Sequence, residues 1–176
     1  IKTNMGGNSS VDRFTTRKKM EQILKQVRPG PFPKVYFLHG YLNEKEVSSL
    51  YKHPKVKGLI SLTHGEGFGL PLLEAAACGL PVCATNWSAH TEFLNLGEWT
   101  KIAGRLEPIP ERKADSNIWM SGSCWANIDV PLARETITEF AFTDKPPTDK
   151  LKKAVQNRYS FDKISKGYDS FWKRWK

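Results

Sequence analysis

Cysteine is scarce in this chain. Cys78, Cys83 and Cys124 are the only three, an odd number without metal-like pair spacing, so a disulfide framework is excluded and reduced thiols in a cytoplasmic protein are expected. No apolar run approaches the ~18 residues of a membrane-spanning helix. The N-terminus, Ile1-Lys2-Thr3-Asn4, has neither an initiator Met nor an apolar leader core. His39, His53, His64 and His90 show no H-x-x-x-H spacing, which argues against zinc. No Asp-x-Asp pair, no Ser-His-Asp or Cys-His nucleophile pattern and no nucleic-acid-binding signature is present. Neither a metal nor a nucleic acid is therefore expected as a partner.

What is present is an ordinary globular composition, 39% hydrophobic and 26% charged over 176 residues. That is enough for one domain, with about 70% of its unfolded surface buried. The net charge is +9, suited to anionic substrates or an anionic surface. Lys and Arg are spread along the chain with two clusters, Arg17-Lys18-Lys19 and Lys173-Arg174-Trp175-Lys176, and solvated helix faces account for most of them.

One stretch organises the rest. Gly58-Leu59-Ile60-Ser61-Leu62 reads as a buried strand. Thr63-His64-Gly65-Glu66-Gly67-Phe68-Gly69 follows as a glycine loop in which the backbone can turn and approach a ligand. Pro71 is suited to a first helical turn, Leu72 to Cys78 are good helix formers, and Gly79 stands where a helix ends. Pro81 to Thr85 reads as the next strand. Strand, glycine loop, helix and strand make half of a doubly wound layer. The unpaired N–H groups and positive end of such a helix suit a phosphate. Glu66 and Glu74, eight positions apart, would repel that phosphate. Accepting hydrogen bonds from sugar or ribose hydroxyls is the natural task for them.

Glu66-Gly67-Phe68-Gly69-Leu70-Pro71-Leu72-Leu73-Glu74-Ala75, followed by Cys78-Gly79-Leu80-Pro81-Val82, resembles the E-x7-E motif of the group 1 family of retaining, nucleotide-sugar-dependent GT-B glycosyltransferases. The resemblance is strongest from Val35 to Leu94. It implies an α/β fold: a Rossmann-like three-layer α/β/α domain with a mainly parallel sheet, the C-terminal half of a GT-B enzyme. It also implies a sugar transfer from a nucleotide-sugar donor to a hydroxyl acceptor on a sugar or lipid carrier, with no metal cofactor. On this resemblance Glu66 is the catalytic-site residue near the donor sugar. Gly67, Phe68, Gly69 and Leu70 hold the diphosphate through the loop N–H groups, Gly65 is a further donor-binding residue of the loop, and Glu74 takes the ribose. His64, Glu92 and Lys2 are further possible donor contacts. His90-Thr91-Glu92 falls where the family often has a further Pro-Glu or similar dipeptide. The family's phosphate-binding Arg and Lys have only charge-based candidates, Lys2 and Arg17-Lys18-Lys19. The N-terminal acceptor-binding domain is expected to be missing, leaving one wall of the cleft. The alternatives are a non-catalytic nucleotide-sugar-binding module and a GT-B-fold sugar-nucleotide epimerase.

In order along the chain, Ile1 to Ser10 reads as a strand end and glycine-rich loop, as in a fragment. Val11 to Val27 is predicted as a helix with Phe14, Met20, Ile23, Leu24 and Val27 inward. Lys34 to Leu38 is predicted as a strand. Asn43 with Glu46 is predicted as a capping box for a helix burying Val47, Leu50 and Tyr51. Lys55 to Leu62 enters the motif, and Trp99 to Ala103 reads as a strand. Leu106 to Trp125 reads as irregular, a loop packed over the sheet edge. Asp129 caps a helix to about Phe140, and Asp149 to Asn157 is another. The whole of 1–176 is expected as a single domain ending in an amphipathic helix over 158–176. Phe161, Ile164, Tyr168, Phe171, Trp172 and Trp175 fall on one face of that helix, with Lys163, Lys166, Lys173 and Lys176 as its basic residues. That face is open to three partners: this domain, the missing domain, or a membrane surface such as the inner face of a cell membrane.

Overall fold

The chain's structure, a computed structural model, describes residues 1–3, 6–115 and 117–175. It divides into two units, Ile1–Val47 and Ser48–Lys176.

In the first unit, α1 (Ser10–Val27) starts at Ser9, whose Oγ accepts from the Asp12 N–H at 3.1 Å. Its predicted inward face is only partly covered: Met20 and Leu24 are half-buried, Phe14, Ile23 and Val27 are exposed, and Thr16 is the buried residue. The predicted strand over 34–38 does not form. Val35, Phe37 and His39 alternate half-buried with exposed Tyr36 and Leu38, as in a strand, but the ladder is a single parallel bridge between Lys2 and Leu38. The Asn43–Glu46 capping box is present at α2 (Glu44–Tyr51): the Glu46 N–H donates to Asn43 Oδ1 at 3.0 Å, and Asn43 N–H to Glu46 Oε2 at 2.8 Å.

The second unit is built on three parallel strands, β1 (Leu59–Ser61), β2 (Val82–Thr85) and β3 (Thr100–Ile102), in the order β1-β2-β3. Helix α3 (Leu70–Ala77) connects the first two strands, and α4 (Thr91–Leu94) lies between the second and third. All four residues of β2 are buried, because the middle strand is covered on both faces. Its side chains alternate accordingly. Val82 and Ala84 join the cluster of Leu72, Ala75, Phe93, Leu151 and Val155 on the side of α3 and α6 (Asp149–Tyr159). Cys83 packs on the other side with Ile102, Ala133 and Phe140, where α5 (Val130–Phe142) lies. This is a three-layer, Rossmann-like α/β/α arrangement with a parallel sheet. β1 is an edge strand rather than a buried one, and its Ile60 is 43% exposed.

The predictions for α5 and α6 stand to within two residues, and the terminal helix predicted over 158–176 is shorter by three residues at each end. Asp129 caps α5 by accepting from the Leu132 N–H at 3.0 Å. The stretch read as irregular instead begins and ends in strand: β4 (Gly104–Pro108) and β5 (Cys124–Ile128) pair antiparallel, with one short 3-10 turn at Glu111–Lys113 in the loop between them. Every residue of β4 is exposed, so no apolar alternation betrays it. The last helix, α7 (Phe161–Lys173), follows α6 directly at Ser160. Lys176 lies outside the described residues. Among the described residues no helix is long and apolar enough to cross a membrane.

Candidate functional site

The loop between β1 and α3 is held from two sides. Ser88 reaches it from the β2–α4 connection. Its Oγ accepts from the Glu66 N–H at 3.0 Å and donates to the Glu66 carbonyl at 2.7 Å. Both backbone groups of Glu66 are thereby fixed, while its side chain is half-buried. Ser88 has φ +84, a left-handed conformation that non-glycine residues rarely adopt. On the other side, the His64 ring donates from Nδ1 to the Ala126 carbonyl at 2.7 Å and stacks on Trp125, with ring centres 4.0 Å apart. The Ala126 N–H returns a bond to the His64 carbonyl at 3.0 Å. The hairpin β4–β5, exposed along β4, therefore has a local task, which is to brace the start of the loop.

Gly69 turns the loop into α3 with φ +88. A Cβ here would meet the Cβ of His90 at 2.9 Å, so glycine is required by backbone and by space. His90 is fully buried beneath it, and its Nε2–H donates to the Thr85 carbonyl at 2.7 Å. Leu72 and Leu73 N–H groups return to the Gly69 carbonyl at 3.0 Å each. The N–H groups of Gly67, Phe68, Gly69 and Leu70 have no protein acceptor among the described residues. These are the groups that give a helix N-terminus its affinity for an anion. Gly67 is open, with no atom within 4 Å of a Cβ built there. The Phe68 side chain serves the fold instead, packing at 5.6 Å from Phe93 and 5.9 Å from Tyr159 between ring centres.

The far end of α3 closes as the sequence predicts. Gly79 has φ +76, its N–H donates to Ala76 and that of Leu80 to Ala75, both at 2.9 Å. This Schellman closure satisfies the last carbonyls. Gln156 of α6 adds a bond to the Ala77 carbonyl at 2.8 Å.

Glu74 is exposed on α3. The Tyr51 hydroxyl faces it at 3.5 Å from Oε2. Burial, and then the Glu74 carboxylate beside it, push the Tyr51 hydroxyl up to about 12. Glu92 is exposed and paired with Arg158 at 2.5 Å. Lys2 belongs to the first unit and carries the isolated bridge to Leu38. Among the described residues, no three His, Cys, Asp or Glu side chains cluster as metal ligands. Sequence reasoning missed Ser88 and Tyr51, which act from 22 and 23 residues away.

Fold and loop together define a Rossmann-like α/β domain with free N–H groups at the start of a helix and a carboxylate on either side of them in sequence. Comparison with known proteins points the same way. The family model described as "Glycosyl transferases group 1" matches residues 21–106. A protein named "Probable sucrose-phosphate synthase" from Thermosipho melanesiensis is 37% identical over 71 residues. That match covers 39% of this chain and 17% of the relative's length.

Proposed function

We propose that this chain is the donor-binding part of a glycosyltransferase that moves a sugar from a nucleotide-sugar to a hydroxyl acceptor with retention. The observation that carries this reading is that the group 1 match spans the loop and helix bearing Glu66, Gly69 and Glu74. In this reading the diphosphate sits on the N–H groups of Gly67, Phe68, Gly69 and Leu70, with Gly65 giving the loop its freedom. The bond from the anomeric carbon to the diphosphate breaks as the acceptor oxygen bonds to that carbon, and the acceptor hydroxyl gives its proton to the departing diphosphate. The electron pair leaves on the diphosphate, where preorganised N–H groups stabilise the charge.

Glu66 orients the donor sugar, and Ser88 keeps its backbone from shifting when the sugar binds or leaves. Glu74 accepts from the ribose hydroxyls, and Tyr51 steadies its carboxylate. Glu92, Lys2 and His64 are peripheral to this core of the proposal; His64 already spends Nδ1 on Ala126. The acceptor and the other cleft wall belong to the full-length protein.

A thermal-shift panel with UDP, GDP, ADP and CMP tests the reading. A nucleotide at about 100 times its Kd adds roughly 2.7 kcal/mol of stability. A shift with one diphosphate and none with CMP is expected. No shift with any of the four contradicts the proposed donor site.

A further inference from the structure

The Trp-rich stretch between β4 and β5 is built more firmly than bracing the glycine loop requires. A hairpin turns in about two to five residues, whereas this loop runs from Ile109 to Ser123. Loops of such length in a compact domain usually carry a function. Its middle is tied down. Asp115 Oδ1 accepts from the N–H groups of Asn117, Ile118 and Trp119 at 3.1, 2.7 and 2.9 Å. These bonds, that of Trp119 foremost, hold the Asp115 carboxyl below the usual carboxylate range. The Asp115 N–H donates to the Trp119 carbonyl at 2.7 Å. Both backbone groups of Trp119 are thereby fixed.

What they fix is the position of a ring. Trp119 meets Trp125 edge to face, with ring centres 5.3 Å apart and planes at 81°. Trp125 in turn lies flat on His64. The three rings make a continuous row that reaches the glycine loop at His64, two residues before Glu66. The row is not core. Both Trp side chains are only half-buried, and Ile118 and Met120 beside Trp119 are exposed. His64 gives the row a polar end. Its Nδ1 is bonded to the Ala126 carbonyl, so Nε2 is the accepting nitrogen, and it has no protein partner among the described residues.

Topology puts this row on the ligand side of the sheet. β1, β2 and β3 are parallel, so their carboxyl ends lie along one edge. The glycine loop leaves that end of β1, and β4 leaves that end of β3 after Ala103 alone. Ligands of such sheets bind outside the carboxyl ends of the strands. A sugar ring suits what is presented there. Its C–H face is apolar and can lie on aromatic rings, while its hydroxyl rim can donate to His64 Nε2 and to the Glu66 carboxylate.

We propose that Trp119, Trp125 and His64 form a ledge that binds a sugar ring of the acceptor next to the loop bearing Glu66. The proposal rests on the glycosyltransferase reading of that loop, and it makes the acceptor a carbohydrate.

Ligand-observed saturation-transfer NMR of the 176-residue chain with maltotriose and cellotriose, against glycerol, tests this. Saturation should reach the ring C–H protons of at least one sugar and leave glycerol silent. Trp119→Leu keeps an apolar side chain in the loop but no flat ring, and it should weaken sugar binding about fivefold or more. Trp119→Phe should keep most of the binding. Neither variant should change the calorimetric affinity for UDP, GDP or ADP. A chain that binds neither sugar overturns the proposal, and so does equal binding by Trp119→Leu. A nucleotide affinity that falls with Trp119→Leu also overturns it, because the ledge would then take a base. Sugar binding by a chain that takes no nucleotide supports the ledge and overturns the donor reading instead.

Discussion

Helices α3 and α7 differ in a way that amphipathicity alone does not foretell. α3 has eight residues, and Leu72, Ala75 and Ala76 are buried. α7 has thirteen, a sharper apolar stripe, and no buried residue. The difference lies in connectivity. α3 is threaded between two neighbouring parallel strands, so the sheet must cover it. α7 is entered from another helix after a single-residue break at Ser160, and not from a strand of the sheet. A stripe shows that a face can be covered, while topology decides whether the same domain covers it.

Truncating one aromatic residue on each side of this contrast gives the largest expected difference. Phe93→Ala, in the core beside α3, should cost about 3–5 kcal/mol in denaturant unfolding, since Phe93 is fully buried. Phe171→Ala on α7 should stay within about 0.5 kcal/mol. Equal costs would mean that α7 is packed in solution. Next comes Gly69→Ala, which must hold φ +88 and meet His90 at 2.9 Å. It should cost about 1–3 kcal/mol, read as a lower unfolding midpoint, and a neutral result would mean that the loop can relax.

Alkaline pH probes the buried side of the same contrast. Burial pushes the Cys83 thiol from 9.0 up to about 11, and the Tyr51 hydroxyl rises from 10.0 to about 12. Both groups keep their protons in the folded chain after the unfolded chain has lost them. Their contribution is full below pH 9 and falls as pH rises from 9 to 11 for Cys83, then from 10 to 12 for Tyr51. Cys83→Ala should remove the earlier decline in a urea series across pH; an unchanged profile would assign that decline elsewhere. The smallest effect is expected from Tyr51→Phe. It keeps the ring and removes a long hydrogen bond to Glu74, so nucleotide affinity should fall only by a factor of a few, about 0.5–1 kcal/mol, with Tm unchanged. A loss as large as that of Glu74→Ala would give Tyr51 a direct contact.

The sheet and its helices were legible where residues carry a local code. The apolar run at 59–62, Gly69, Gly79, the Asn43–Glu46 box and the Asp129 cap each found the role predicted for it, although β1 proved an edge. β4 was hidden because its side chains all face solvent, and 34–38 misled because its alternating pattern meets the chain only at a single bridge, Lys2 to Leu38, too little for a ladder. For the candidate site, the positions of Glu66, Gly69 and Glu74 on loop and helix followed from spacing. Ser88 and Tyr51 did not, because their partners are set by the fold and not by near neighbours in sequence.

The central claim is that the α3 loop takes a nucleotide, with Glu74 on the ribose. Calorimetric titration of the chain and of Glu74→Ala with UDP, GDP and ADP meets that claim most directly. The account predicts that one nucleotide binds the chain and that Glu74→Ala loses about 1.5–3 kcal/mol of that affinity, roughly tenfold or more, at unchanged Tm. A variant that binds as tightly as the parent, or a parent that binds none of the three, would contradict it.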